Sequence, residues 1–218
     1  MPKSRKGEQT RARLLDAAKR VFERDGFLDA RITDIAETAG VSHGAFYHYF
    51  DSKEQVFREV AELQESLLTA RPVDDDPAAA KRRSPRERIL VANRAYLQHY
   101  RDEARIMGVI EQVSRFDPHV RAVRAERQKH FAERSERAIR RMQAEGLVDA
   151  DVDPAIAAMA LGAMVARFAE LWLVQGYADY DFDRAAEQLT TLWTNAIGLK
   201  DEPSAPENAP ARRGRITS

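Results

Sequence analysis

VSHGAFYHYF, residues 41–50, sets two histidines, two tyrosines, two phenylalanines and a glycine within ten positions. Ser42 is a side chain that caps helix N-termini, so a short helix over His43 to Tyr49 is expected behind it. A glycine inside so short a helix costs about 1 kcal/mol relative to alanine, and Gly44 therefore points to something approaching the backbone closely. Phe46 and Phe50 are four apart and share a face with Val41, which directs them inward toward Ile35, Leu15 and Phe22. Tyr47 and His48 fall on the other side, where a phenol and an imidazole can donate hydrogen bonds to phosphate oxygens. The rival reading buries Tyr47 and His48 as an aromatic pair under the first helix, but Phe46 and Phe50 already occupy the inward positions. His43 and His48, five apart, do not align as a pair of metal ligands would at a spacing of four.

Upstream, Thr33 is expected to cap a short segment from Asp34 to Ala39, and Gly40 ends it. Two short helices joined through Gly40 and Val41 have the form of a helix-turn-helix, whose second helix enters the DNA major groove. Ser42, Gly44 and Ala45 are small enough for that entry. Leu14, Leu15, Ala18, Val21 and Phe22 recur at helical spacing and predict a first helix over Thr10 to Asp25, with Gly26 as its left-handed end. Downstream, Asp51 or Ser52 caps a fourth helix reaching about Leu68, with Gln55 at capping-box distance from Ser52. Lys53 in its first turn adds a cation beside a helix N-terminus, itself an anion site.

Residues 70–83, ARPVDDDPAAAKRR, carry two prolines and no apolar period and are expected to be a linker or mobile loop. Ser84, Pro85 and Glu87 then form a helix start signal, and Ile89, Asn93, Tyr96, Leu97 and Tyr100 the face of the helix that follows. Further helices are expected over Ala104 to Arg115, from Asp117-Pro118 to Glu145, from Asp153-Pro154 to Gln175, and over Phe182 to Ile197. The sum is an all-α chain of nine helices without a convincing strand. The organisation is a DNA-binding domain over 8–68, a linker over 69–83, a second domain over 84–199 and a tail over 200–218. That tail is expected to be a solvated, disordered segment, with phosphate contact by its three arginines as the alternative.

Lys plus Arg and Asp plus Glu stand at 35 each in the 218 residues, so overall charge names no partner. Residues 1–24 nevertheless hold eight basic side chains against three acidic ones, a candidate phosphate-facing end. The absence of cysteine excludes a disulfide framework, a thiol nucleophile and a cysteine-based zinc site. No apolar segment of signal-peptide type opens the chain, and Ala155 to Ala166, the longest run without charge, is too short to span a bilayer. A cytoplasmic protein with no membrane partner is expected. There is no nucleophile elbow, phosphate loop or HExxH, and His99, His119 and His130 have no ligand partner beyond the generic His99 and Glu103 spacing. No enzyme activity, cofactor or metal site is expected.

TDIAETAGVSHGAFYHYFDSKEQVF, residues 33–57, with RARLLDAAKRVFERDGF, residues 11–27, closely resembles the helix-turn-helix signature of the tetracycline-repressor (TetR) family of bacterial transcriptional regulators. The resemblance implies a homodimer whose amino domain binds a palindromic operator in double-stranded DNA and whose carboxyl domain binds a small-molecule effector. Carried over by position, Thr33, Ser42, His43, Gly44, Tyr47, His48 and Lys53 form the DNA face, with Arg31 as an added phosphate contact. His43 departs from the lysine, arginine or proline common there, which bears on base preference. The leading function is a repressor released by its effector; an activator, or a regulator needing a co-repressor, is the alternative. An all-helical enzyme or carrier with a vestigial DNA domain is the reading from another class, and the intact Gly44, Tyr47 and Lys53 stand against it.

The helix AIAAMALGAMVARFAELWLVQ is apolar almost all round and must be covered on several sides, by core, by a ligand or by a second subunit. Tyr96, Tyr100, Met107, Ile110, Phe116, Phe131, Met159, Met164, Phe168 and Trp172 are expected to converge on a largely apolar cavity for a lipophilic effector, with Asn93, His119 or Arg167 fixing one polar end. For Arg167 the alternative is an ion pair with Glu170, three residues on. The dimer is expected to form mainly through Pro154 to Ile197, with Leu189, Leu192 and Trp193 supplying apolar contacts.

Overall fold

A computed structural model describes residues 5–69 and 83–200; the expected linker and tail fall almost wholly outside them. Among the described residues there are nine α-helices and no strand. They are α1 (Arg5–Asp29), α2 (Ile32–Thr38), α3 (His43–Phe46), α4 (Lys53–Thr69), α5 (Pro85–Asp102), α6 (Ala104–Ser114), α7 (Pro118–Ala144), α8 (Pro154–Ala169) and α9 (Phe182–Ala196). A π-helical turn, Glu170–Val174, extends α8.

The sequence signals act where expected at most ends. Ser84 accepts from the Glu87 N–H while Glu87 accepts from the Ser84 N–H, a complete capping box behind Pro85. Asp117 caps α7, Asp153 caps α8 and Asp181 caps α9. Two boundaries in the first layer differ from expectation at α1 and α2, beside the early end of α3 described below. α2 starts at Ile32 behind Arg31, which makes no side-chain cap; Thr33 lies inside the helix and its hydroxyl donates to Asp34 at 3.2 Å. α1 runs on past Gly26 to Asp29 through a kink at that glycine, φ 75°.

α1, α2 and α3 pack with the first half of α4 around an aromatic nucleus. Phe22 meets Phe57 edge-on at 4.9 Å between ring centroids, and Phe27 meets Phe57 at 5.0 Å. Phe46 and Phe50 are fully buried beside Leu14, Ile35 and Val56. Helices α5 to α9 make the second layer, with α7 lying along α8 and α9 against α5. Its interior holds Leu97, Ile106, Ile110, Ile139 and Ile197, all inaccessible to solvent. α4 packs on α7 and α1 on α6, so the buried side chains of both layers form one contiguous cluster.

The stretch Pro154–Val174 is 21 residues long with mean hydropathy 1.6, long and apolar enough in composition to cross a membrane. This corrects the sequence reading, which stopped at Ala166 because Arg167 breaks the uncharged run. Arg167 bonds Glu170 at 2.5 Å, and the helix continues through both residues. In the fold this stretch lies between α7 and α5, with Ala158, Leu161, Val165, Ala169 and Trp172 turned inward.

Phe22→Ala removes a fully buried ring that packs on both Phe27 and Phe57 and is expected to destabilise the protein by about 3–5 kcal/mol. Leu28→Ala, at a side chain 74 % exposed, should stay within about 0.5 kcal/mol. Urea unfolding followed by circular dichroism measures both.

Candidate nucleic-acid interface

Ala39 closes α2, and Gly40 takes φ 66°, a left-handed conformation open to glycine and strained for other residues. The Gly40 N–H donates to Glu37 and the Val41 N–H to Ala36, which turns the chain into α3. Ser42 accepts from the Ala45 N–H at 3.2 Å, as the cap predicts. α3 itself ends at Phe46 instead of Tyr49, because the N–H groups of His48 and Tyr49 reach back three residues, to Ala45 and Phe46, and tighten the last turn.

This geometry separates the aromatic stretch into two faces. Phe46 and Phe50 point into the nucleus, while Ser42, His43, Gly44, Tyr47 and His48 are exposed together. The reading of Tyr47 and His48 as a buried pair is thereby overturned. His43 and Tyr47 stand edge to face at 5.3 Å, so one imidazole and one phenol project side by side. A Cβ built on Gly44 would meet no atom within 4 Å. Nothing inside the protein requires glycine there. Arg31 and Thr33 are exposed at the start of α2 on the same module.

Lys53 is placed differently from the expected phosphate contact. Its ammonium donates to the carbonyls of Phe27, Leu28 and Ala30 at 2.8, 2.9 and 3.0 Å, and lies 4.9 Å from the centre of the Phe27 ring. An ammonium has three donors, and all three are engaged at the end of α1. Lys53 thus ties the first turn of α4 to the last turn of α1. The Gln55 N–H bonds the Ser52 hydroxyl, whereas the Gln55 side chain accepts from Asp51, so the expected capping box is shifted by one residue.

The residues expected to line one cavity disperse. Tyr100, Met107, Ile110 and Trp172 are buried core, and Tyr96, Phe131, Met164 and Phe168 pack against it. Phe116 is exposed at the end of α6, 6.1 Å from Phe27 of the first layer, and Met159 is 68 % exposed on the outside of α8. The three polar anchors are committed elsewhere. Asn93 donates to Thr190 at 3.0 Å and joins α5 to α9; His119 bonds Glu62 on α4 at 2.6 Å; Arg167 holds Glu170. Leu189 and Trp193 are turned into the chain's own core, so of the three expected dimer contacts only Leu192 is exposed.

Sequence reasoning missed a buried charged group between the layers. Glu65 of α4 and Arg127 of α7 are 2 and 4 % exposed, with the Arg127 Nε 2.9 Å from the Glu65 carboxylate. Burial pushes the Glu65 carboxyl up, against the pull of Arg127 and Arg124. Burial also works to lower the Arg127 guanidinium, but the oxygens of Tyr96, Glu65 and Tyr100 outweigh it and hold it above its usual value. The available signal was a stripe of charge at helical spacing on α4, Arg58, Glu62 and Glu65, which meets Asp117, His119 and Arg127 on α7.

Residues 14–60 match the family described as "Bacterial regulatory proteins, tetR family", and residues 82–194 the "Tetracyclin repressor-like, C-terminal domain". The regulator YdgC of Bacillus subtilis is 44 % identical over 71 residues, 29 % of this chain and 36 % of that protein. The chain therefore spans little more than a third of that curated relative in the match. UidR of Escherichia coli is 27 % identical over 156 residues, 68 % of this chain and 74 % of its own. Among solved structures, NalD, the secondary repressor of an efflux pump in Pseudomonas aeruginosa, superposes with a TM-score of 0.64 at 23 % identity, covering 89 % of this chain and 98 % of its own. That likeness establishes the shared fold.

Lys53→Met leaves three carbonyls without their donor and is expected to lower stability by about 1–3 kcal/mol. With every ammonium donor already engaged, the slope of log affinity for DNA against log salt should change by well under one. A loss of a full unit would place the ammonium on a phosphate.

Proposed function

Since the chain belongs to the tetR family of bacterial regulatory proteins, we propose that it is a DNA-binding transcriptional regulator, a repressor released from a palindromic operator by a lipophilic small-molecule effector. The observation that carries the DNA reading is the exposed set Ser42, His43, Gly44, Tyr47 and His48 on a capped helix behind the Gly40 turn. Tyr47 and His48 supply donors to phosphates, His43 reads a base edge, and Arg31 and Thr33 hold the backbone beside α2. Lys53 acts one step back, by fixing the angle between α1 and α4.

The operator is read by two copies. α8 leaves Ile156, Met159, Ala160 and Ala163 exposed on one stripe, 69 % for Ile156 and 68 % for Met159, and Leu192 on α9 adds 54 %. An apolar stripe with small residues between large ones suits close packing against its own copy about a two-fold axis. That axis sets the spacing of the two α3 helices, and with it half-sites about one helical turn of DNA apart. An effector seated beside Tyr96 and Phe131, whose rings meet at 5.7 Å, shifts the population toward a conformation in which that spacing is lost. An activator would use the same parts with the opposite coupling.

A gel shift with DNA from upstream of the gene itself tests the reading, and a promoter–reporter fusion gives the sign. Gly44→Leu should leave thermal stability unchanged or raise it by up to about 1 kcal/mol, since the site is open and glycine is a poor helix former. The same variant should abolish the shift, because a side chain there keeps α3 out of the groove. Undiminished binding would remove Gly44 from the DNA face. Leu192→Glu should sediment as a monomer at micromolar concentration and bind the operator weakly; a persistent dimer would move the interface off α9.

A further inference from the structure

Buried polar groups in folded proteins are hydrogen-bonded in the great majority of cases, and an orphaned one asks for a partner. Arg127 is such a group. Its guanidinium has five N–H donors, yet among the described residues its one hydrogen bond is a long one, from Nη1 to the Tyr100 hydroxyl at 3.4 Å. Among the described residues Nε and Nη2 have no hydrogen-bond acceptor, and neither carboxylate oxygen of Glu65 has a donor. The two charges lie 2.9 Å apart, so they attract, but the N–H groups do not point at the oxygens. Arg124, one turn back on α7, adds a second guanidinium 3.8 Å from Glu65. Two cations therefore face one carboxylate in the interior. An arrangement like this is poor for stability, because desolvation of the ions is not repaid without good hydrogen-bond geometry.

The surroundings define what would complete it. Phe131 lies one turn beyond Arg127 on α7 and meets Tyr96 edge-on at 5.7 Å, and Tyr96 meets Tyr100 at 5.1 Å. An aromatic wall thus runs away from the guanidinium. A planar carboxylate matches the guanidinium fork through two parallel hydrogen bonds, which Glu65 does not achieve from its position on α4.

Resting on the reading of this chain as an effector-controlled regulator, we infer that Arg127 is the receptor for the carboxylate of an amphiphilic effector, which binds by displacing Glu65 of α4 and lays its apolar body along Tyr96 and Phe131. The head group and the DNA-binding layer then compete for one guanidinium. Glu65 stands twelve residues beyond Lys53, about 18 Å along the same helix, so releasing its end of α4 reorients the end that carries α3. Arg58 with Asp117 and Glu62 with His119 remain as the contacts about which α4 turns.

The test compares octanoate, n-octanol and octyltrimethylammonium, which share a chain and differ in head-group charge, by thermal shift and calorimetry on the full-length protein. Octanoate is expected to stabilise the wild type while the other two do not. Glu65→Gln removes the competitor, and octanoate affinity should rise about tenfold, near 1.4 kcal/mol. In Glu65→Gln/Arg127→Gln, which removes one charge of each sign and leaves only the partly exposed Arg124 beside the site, octanoate binding should vanish. Equal responses to the three probes in the wild type, no gain in Glu65→Gln, or binding retained in the double variant would each overturn the assignment, and the first needs no variant to fold. Operator binding without ligand is measured alongside in the wild type. Its loss would refute the proposed function and not the carboxylate site, whereas intact operator binding with equal probe responses refutes the carboxylate site alone.

Discussion

The helix on which both layers depend is α4, which has to satisfy two neighbours with opposite chemistry. Its first half carries Val56, Phe57 and Val60 into the aromatic nucleus of α1 to α3, where burial from water holds the layer together. A second face carries Arg58, Glu62 and Glu65 to the start of α7, where the contacts are ionic. Apolar packing is short-ranged and insensitive to small charges, so the first half moves as a body with α3. Ion pairs at partly wet positions are weak and exchangeable.

The charges on that seam differ in exposure, and exposure decides what each can do. Glu62 and His119 are about half exposed and contribute little to stability in water. Asp117 is nearly buried; burial works to raise its carboxyl, but Arg58 and the N–H groups of His119 and Val120 outweigh it and keep it below its usual value. It stays ionised and caps α7 at once. Glu65 and Arg127 are buried without the hydrogen bonds that would make burial favourable, which separates them from the structural pairs around them.

The carboxyl layer divides its apolar residues between an inside and an outside. α9 turns Leu189 and Trp193 inward and Leu192 outward, and α8 turns Leu161 and Val165 inward and Ile156 and Met159 outward. Both helices therefore have apolar residues on two faces. One face completes the chain's own core, and the other leaves Ile156, Met159 and Leu192 exposed.

The sequence by itself determined the local elements and the helix-turn-helix module. Caps, left-handed glycines and helical spacing act within a few residues, so Ser42, Gly40, Ser84 and Asp153 could be read without knowing what lies across the fold, and so could the division of Phe46 and Phe50 from Tyr47 and His48. Where the sequence failed locally, at Thr33, a competing bond to Asp34 within the helix had replaced the cap. Only the tertiary structure decided which polar side chains were already engaged. Lys53 meets carbonyls from more than twenty residues away, Asn93 a threonine of α9, His119 a glutamate of α4, and Arg127 a glutamate of α4. Periodicity gives the direction in which a side chain leaves its helix, but the identity of what meets it depends on how the helices are stacked. A spacing rule holds no information about that.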